Sequence, residues 1–440
     1  MMPVDYILCG DYVLTMNNEM DVIRNGAVAV KDGKIAAIGT EADIFKTYTA
    51  SRVIDGKGRA LLPGLINTHT HAAMVYFRGL ADDLPLKDWL EKHIWPAEGR
   101  WLSPEFVSDA VELACLEMLR AGVTTFSDMY FYGGSAAVAS KKMGMRAVLG
   151  AGIVDFPTKT GKCADDYIGN AEKFISEWRG DDMITPCISP HSAYACSQET
   201  LVKIRDASER LGVMISSHIS ETEWEVAEIV SRYGKRPVEH FASLGMVNER
   251  LLAAHCVHID ERETELLAQG RAGVSHCIES NLKLASGFAP VPRMLASGIK
   301  VTFGTDGAAS NNDLNILSEM STAAKLHKAL AKDPTALDSR TALLMATRWG
   351  ADVLGLGSRV GSLEEGKQAD IITMALGKPH LAPLYDIYSH LVYSAMASDV
   401  EDVMVDGKLL VEKGRATAAD EEEIMRKAIM WGEKIASGDS

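Results

Sequence analysis

Pro63-Gly64-Leu65-Ile66-Asn67-Thr68-His69-Thr70-His71 is an apolar run that ends in two histidines one residue apart. On an extended strand, residues i and i+2 point to the same face, so both imidazoles can converge on one ion. Runs of this kind, apolar in the body and polar at the C-terminal end, recur along the chain. Eight of them occupy 61–71, 124–128, 146–155, 183–191, 213–221, 251–255, 273–280 and 301–306. Most are separated by segments of helical periodicity, such as 103–121, which opens with a Ser-Pro start signal. Eight strand–helix units predict a parallel (β/α)8 TIM-like barrel over 63–362, with its chemistry at the C-terminal strand ends.

The flanks of the barrel read differently. Tyr6-Ile-Leu-Cys, Tyr12-Val-Leu-Thr, Ala27-Val-Ala-Val and Lys34-Ile-Ala-Ala-Ile are short β-like runs, with Asn25-Gly26 and Asp32-Gly33 as hairpin-turn signals. The same grammar returns in Ala369-Asp-Ile-Ile-Thr-Met and Asp402-Val-Met-Val-Asp-Gly-Lys-Leu-Leu-Val. The predicted fold class is therefore α/β: the barrel, plus a small β-sandwich built from both chain ends, 1–62 and 363–420. A helical C-terminal tail follows over 421–440.

Composition narrows the function. With 440 residues, 47% hydrophobic and 24% charged, the chain has globular proportions and room for a barrel with an added module. A net charge of −15 gives it no bulk attraction for a phosphate backbone, so no nucleic-acid partner is expected. Seven cysteines, an odd number with no C-x-x-C pair, suit reduced thiols in a cytoplasmic protein. The start, Met1-Met2-Pro3-Val4-Asp5-Tyr6, lacks a leader pattern, and no apolar run approaches the ~20 residues of a membrane helix. No membrane partner is expected.

Taken alone, His69-Thr70-His71 is either half of a metal site or a hydrogen-bonded pair at a strand end. Repetition of the placement favours the metal. His218 ends the fifth predicted strand, His255 the sixth and Asp306 the eighth. Three imidazoles and a carboxylate suit Zn²⁺ or Fe²⁺ with an open position for water.

Four further stretches complete a pattern: His218-Ile219-Ser220-Glu221-Thr222, Ala254-His255-Cys256, Ser280-Asn281-Leu282-Lys283-Leu284-Ala285-Ser286-Gly287, and Gly304-Thr305-Asp306-Gly307 continuing to Asn312. With the first-strand run they resemble the amidohydrolase superfamily. Within it they resemble the methylthioadenosine/S-adenosylhomocysteine deaminase group, with chlorotriazine hydrolases as relatives. The resemblance implies that His69, His71, His218 and Asp306 hold one divalent metal ion, zinc foremost and iron compatible. The fourth strand ends Ser189-Pro190-His191, without the lysine that bridges two metals in binuclear relatives. The resemblance also implies hydrolytic deamination of a small-molecule adenine nucleoside by a homo-oligomer. Glu221 would protonate the ring nitrogen. Asp306 would carry the water's proton to the leaving amine, and His255 would aim the water. Glu98 and His191 would contact sugar and base, and Trp89 would line the pocket.

Each of these residues also has a plainer reading. Glu221 could cap the following helix, 223–233. Glu98 could be a surface residue near a helix start, His191 a structural strand-end histidine, and Trp89 an apolar helix contact. His258, past the sixth predicted strand, is expected at the surface and not as a ligand, and His276 stays unassigned. Other readings of the whole chain are a deaminase of guanine or cytosine, a chlorotriazine-type hydrolase, or a non-catalytic barrel scaffold. Against the scaffold, every implied ligand and Glu221 is in place.

One departure from the group bears on substrate. Relatives that accept S-adenosylhomocysteine place arginines on and after the third strand, whereas no arginine lies between Ala147 and Trp178 here. Lys159 and Lys162 lack the bidentate fork of a guanidinium, and Asp155, Asp165 and Asp166 lie close by in sequence. Methylthioadenosine, adenosine and 5′-deoxyadenosine are therefore expected to be better substrates than S-adenosylhomocysteine.

Overall fold

The computed structural model describes residues 1–438. By its contacts the chain divides into two compact units. One comprises Met1–Ile66, Leu116–Thr125 and Asn315–Ala419; the other comprises Asn67–Cys115, Phe126–Leu314 and the residues from Asp420 onward.

The first unit holds a nine-stranded mixed sheet made from both chain ends. Its N-terminal strands are β1 (Met2–Leu14), β2 (Val22–Lys31), β3 (Lys34–Thr40), β4 (Tyr48–Ile54) and β5 (Arg59–Pro63). The expected pairing between the ends is present: Ile371–Ala375 runs antiparallel to β5, with Ile371 opposite Pro63. Side chains alternate between two cores, as a period of two requires. Val28 and Val30 join Ile371, Met404 and Leu409 on one side, whereas Ala27 and Ala29 join Ile44 on the other. Strands from both ends of the sheet thus share one core, the arrangement of a sandwich. The helices Ile316–Ala331, Ser339–Ala346 and Ile387–Tyr393 pack on one another and group with this unit.

The turn readings fared unevenly. Asp32-Gly33 does form a tight hairpin, with φ of 50° and 78°. Asn25-Gly26 does not: it lies inside β2, where Gly26 lets the strand pass Val13, whose Cγ2 would be 2.7 Å from an added Cβ. Tyr6-Ile-Leu-Cys and Tyr12-Val-Leu likewise belong to one continuous strand, β1, which ends just before Thr15.

The eight-stranded sheet runs in sequence order: β6 (Leu65–Thr70), β7 (Val123–Tyr130), β8 (Arg146–Ile153), β9 (Ile184–Pro190), β10 (Ile215–Ile219), β11 (Leu251–His255), β12 (Gly273–His276) and β13 (Val301–Phe303). First and last strands meet: the Thr68 hydroxyl donates to the Phe303 carbonyl at 2.8 Å and the Asp306 amide to the His69 carbonyl at 3.0 Å. The (β/α)8 expectation therefore holds, with corrections at three strands. Residues 61–71 are two strands, because the chain leaves β5 at Gly64 and enters the barrel sheet with β6. The run 273–280 stops at His276, and Ser280 lies on the helix Ile278–Lys283. The last run stops at Phe303, before Asp306.

The C-terminal segment forms the helix Glu421–Ser437, which Asp420 caps; residues 439–440 of the expected tail lie outside the described residues. Lys427 and the Trp431 indole both bond the buried Asp109, at 2.6 and 3.1 Å. Trp431 also stacks on Tyr76, five residues after His71. No described helix is long and apolar enough to cross a membrane.

Gly64 is required by contact. An added Cβ would lie 2.0 Å from the Thr124 hydroxyl oxygen. We expect Gly64→Val to lower stability by about 1–3 kcal/mol through overpacking, read as a reduced denaturation midpoint; an unchanged midpoint would contradict the contact.

Candidate active site

The metal-type residues come from two strand ends and one short turn. His69 and His71 share a face as the i, i+2 rule demands, and His218 lies in β10. Asp306 follows β13 in a left-handed turn, with φ of 61°. Ser220 and His255 are also left-handed, at 55° and 72°. Such backbone is unfavourable for residues with a Cβ and collects at functional sites. Gly304 lets this turn approach β6: a Cβ there would be 2.8 Å from the His69 Cβ.

Hydrogen bonds fix which nitrogen each ring offers. A carbonyl can only accept, so His71 donates Nδ1–H to Met129 (2.6 Å) and His218 donates Nδ1–H to His191 (2.8 Å). Both Nε2 lone pairs are then directed inward and lie 3.2 Å apart. Asp306 Oδ1 is 3.1 Å from His71 Nε2 and 3.6 Å from His69 Nε2. The buried His69 Nε2 has no hydrogen-bond partner. Facing lone pairs beside a carboxylate and an orphaned imidazole nitrogen call for a cation. The ligand atoms of His69, His71, His218 and Asp306 all lie within 4.8 Å of one another, so the set fits one divalent ion.

Without a cation the tetrad is electrostatically lopsided. Burial opposes charge on His71, yet the Asp306 carboxylate and the Met129 carbonyl lift it to about 9. Burial lowers His69 to about 4. Burial also opposes charge on Asp306, but the two imidazoles hold it well below the usual carboxylate range. Its second oxygen is occupied: Oδ2 accepts from the hydroxyls of Ser280 (2.8 Å) and Ser310 (2.7 Å).

The remaining expected residues surround the same cavity, of about 400 Å³, lined by His71, His218, Asp306, Glu221, His255, His191, Glu98 and Trp89 among others. Glu221 lies just beyond β10 and is 5% exposed, with Oε2 3.7 Å from His255 Nε2. It does not cap the helix Glu223–Tyr233; Thr222 does. Burial raises the Glu221 pKa, so the carboxyl holds a proton at higher pH than a free glutamate. His255 donates its Nδ1–H to Asn281 Oδ1 at 2.9 Å. His191 is pushed down to about 3, chiefly by burial, which keeps it neutral. Glu98 is 8% exposed on the helix Trp95–Trp101, not a surface residue, and burial lifts it to about 7. Trp89 donates its indole N–H to the Ala81 carbonyl at 3.0 Å while facing the cavity.

Several contributors escaped the sequence reading. The Tyr130 hydroxyl donates to Glu98 Oε1 at 2.7 Å, leaving Oε2 for a ligand. Asp128 accepts from the Ala72 amide at 2.8 Å and so pins the turn after His71. Ser280 and Asn281 sit inside a quoted motif, whereas Tyr130 and Asp128 are marked only by their place at the end of β7. The expected surface site of His258 is corrected: it is half-buried, with Nε2 2.6 Å from the Ser286 carbonyl. The only lysine or arginine lining the cavity among the described residues is Lys159. Its ammonium is already donated to the carbonyls of Arg100 (2.7 Å) and Leu102 (3.0 Å).

Comparison with known proteins agrees with this geometry. The Amidohydrolase family model matches residues 60–410, and the chain belongs to that family. It is 51% identical to the 5-methylthioadenosine/S-adenosylhomocysteine deaminase of Thermodesulfovibrio yellowstonii, over 98% of each chain. It is 44% identical to the 5′-deoxyadenosine deaminase of Methanosarcina acetivorans, over 98% of this chain and 99% of the other. Among solved structures, a zinc-bound adenosine deaminase from Xanthomonas campestris superimposes with a TM-score of 0.98, 40% identity and 99% coverage of both chains.

Replacing both Ser280 and Ser310 by Ala removes the hydroxyls that orient Asp306. Metal affinity, measured by competition with a chelator, is expected to fall about 10–100-fold; unchanged affinity would show that the serines do not orient the ligand.

Proposed function

We propose that this protein is a metal-dependent hydrolytic deaminase of adenine nucleosides, taking water and the 6-amino group to ammonia and the inosine-type product. The observation that carries this reading is the shared cavity. His71, His218 and Asp306 of the metal-type tetrad, the buried Glu221 and a sugar-type carboxylate, Glu98, open onto it, and His69 completes the tetrad from behind them. Held by His69, His71, His218 and Asp306, a divalent ion, zinc by preference over iron, would bring the pKa of a water from 15.7 to about 7.

The chain's own groups do the rest. Glu221 delivers its proton to the ring nitrogen beside the amino-bearing carbon, making that carbon electrophilic. His255 is near enough to Glu221 to hydrogen-bond the attacking water and aim it. Asp306 takes the water's proton and returns it to the departing amine. Glu98 accepts from ribose hydroxyls through the oxygen that Tyr130 leaves open, and neutral His191 contacts the base.

The far wall of the cavity sets the substrate class. Trp89, Leu90, Ile94, Trp95, Val154 and Phe156 make it apolar, and Lys159 is committed to backbone carbonyls. An apolar 5′ substituent suits that wall, whereas an amino-acid carboxylate would be left without a cation. The same reading places the enzyme in the cytoplasm as a homo-oligomer, in keeping with seven unpaired cysteines. A net charge of −15 speaks against a nucleic-acid partner.

Two outcomes test the reading. Glu221→Gln should keep its metal and lose about 10²–10⁴-fold in kcat, followed by the adenine-to-hypoxanthine absorbance change; full turnover would sink the proton-donor role. In a panel of fully metallated protein, methylthioadenosine, 5′-deoxyadenosine and adenosine should exceed S-adenosylhomocysteine in kcat/KM by roughly tenfold or more. The opposite ranking would refute the apolar-wall argument.

A further inference from the structure

Thr222-Glu223-Trp224-Glu225 has the S/T-x-x-E form of a capping box at the start of the helix Glu223–Tyr233. In that motif the glutamate side chain returns to the amide of the capping residue. Here it reaches further back. The Thr222 hydroxyl accepts from the Glu225 amide as expected, at 3.2 Å. The Glu225 carboxylate instead passes Thr222 and accepts from two consecutive amides before the helix: Ser220 at 3.0 Å through Oε1 and Glu221 at 2.8 Å through Oε2.

Two adjacent amides aimed at one anion require a bend between them, and Ser220 provides it with φ of 55°. Glu225 is 1% exposed, and burial lifts its pKa to about 8 despite both amide bonds. A buried carboxyl held in this way is costly, and helix capping does not account for it, since Thr222 already caps the helix. What the contact does determine is the backbone of Glu221, whose side chain leaves that residue for the cavity and ends 3.7 Å from His255.

We propose that Glu225 is a positioning residue for deamination: its bidentate grip on the amides of Ser220 and Glu221 fixes the direction from which Glu221 presents its proton. This rests on the role given to Glu221 above. Glu225 touches neither substrate nor metal ligand in this scheme, so its contribution is to turnover, not to affinity.

The test uses the full-length, metallated protein and the variants Glu225→Gln, Glu225→Ala, Glu221→Gln and the double variant Glu221→Gln/Glu225→Gln. Gln keeps the shape but turns an amide NH₂ towards one of the backbone N–H donors, so kcat should fall about tenfold with KM within about twofold. Metal content should stay at the parent value, and the variant should remain fully folded at the assay temperature. The double variant, assayed at high enzyme concentration, should be no slower than Glu221→Gln alone, because both changes disable one function. Multiplied losses in the double variant, a kcat within twofold of the parent in Glu225→Gln, or a kcat loss matched by lost metal or by loss of folded protein at the assay temperature would each overturn the proposal. Should Glu225→Ala fail to fold, the Gln series decides alone. Full turnover in Glu221→Gln would instead remove the reading on which the proposal rests, a result separate from the behaviour of Glu225→Gln.

Discussion

The site depends on the division of labour between the two oxygens of Asp306. One is saturated by the hydroxyls of Ser280 and Ser310; the other is left facing the imidazoles of His69 and His71. A carboxylate free to rotate would spread its charge over several directions. Held in this way, it presents one oxygen at a fixed point. Its own amide is bonded to the His69 carbonyl, so closure of the barrel and construction of the ligand set are a single event. The Thr68 hydroxyl, bonded to those of Ser275 at 2.7 Å and Thr302 at 2.8 Å, centres a buried polar cluster between the first and last strands.

The cavity joins two environments that its chemistry keeps apart. At its base, charge and proton-holding groups are concentrated where water is excluded and electrostatic interactions are strong. Its wall is aromatic and aliphatic, and the one lysine there has its ammonium engaged by two backbone carbonyls. A ligand polar at one end and apolar at the other matches that gradient, as an adenine nucleoside with a short 5′ substituent does.

Much of this was legible in the sequence, for identifiable reasons. Strand ends announce themselves by an abrupt change from apolar to polar, and His69, His71, His218 and Asp306 sit at such changes. The run 273–280 misled because Cys277 and Ile278 continue the apolar pattern while the chain turns into a helix. Asn25-Gly26 misled because a small residue serves close packing as well as it serves a turn. Tyr130 and Asp128 were invisible, since their roles arise from partners 32 and 56 residues distant in the chain. Glu225 was visible as a motif, but the motif names a different acceptor.

The C-terminal helix has a consequence for biosynthesis. Lys427 and Trp431 bind Asp109, and Trp431 stacks on Tyr76, in the turn that carries the chain away from His71. A nascent chain translated only as far as Asp306 therefore carries all four candidate ligands while the support behind the first histidine pair is missing. The brace behind His71 is thus completed only once Trp431 has been made, more than a hundred residues after Asp306.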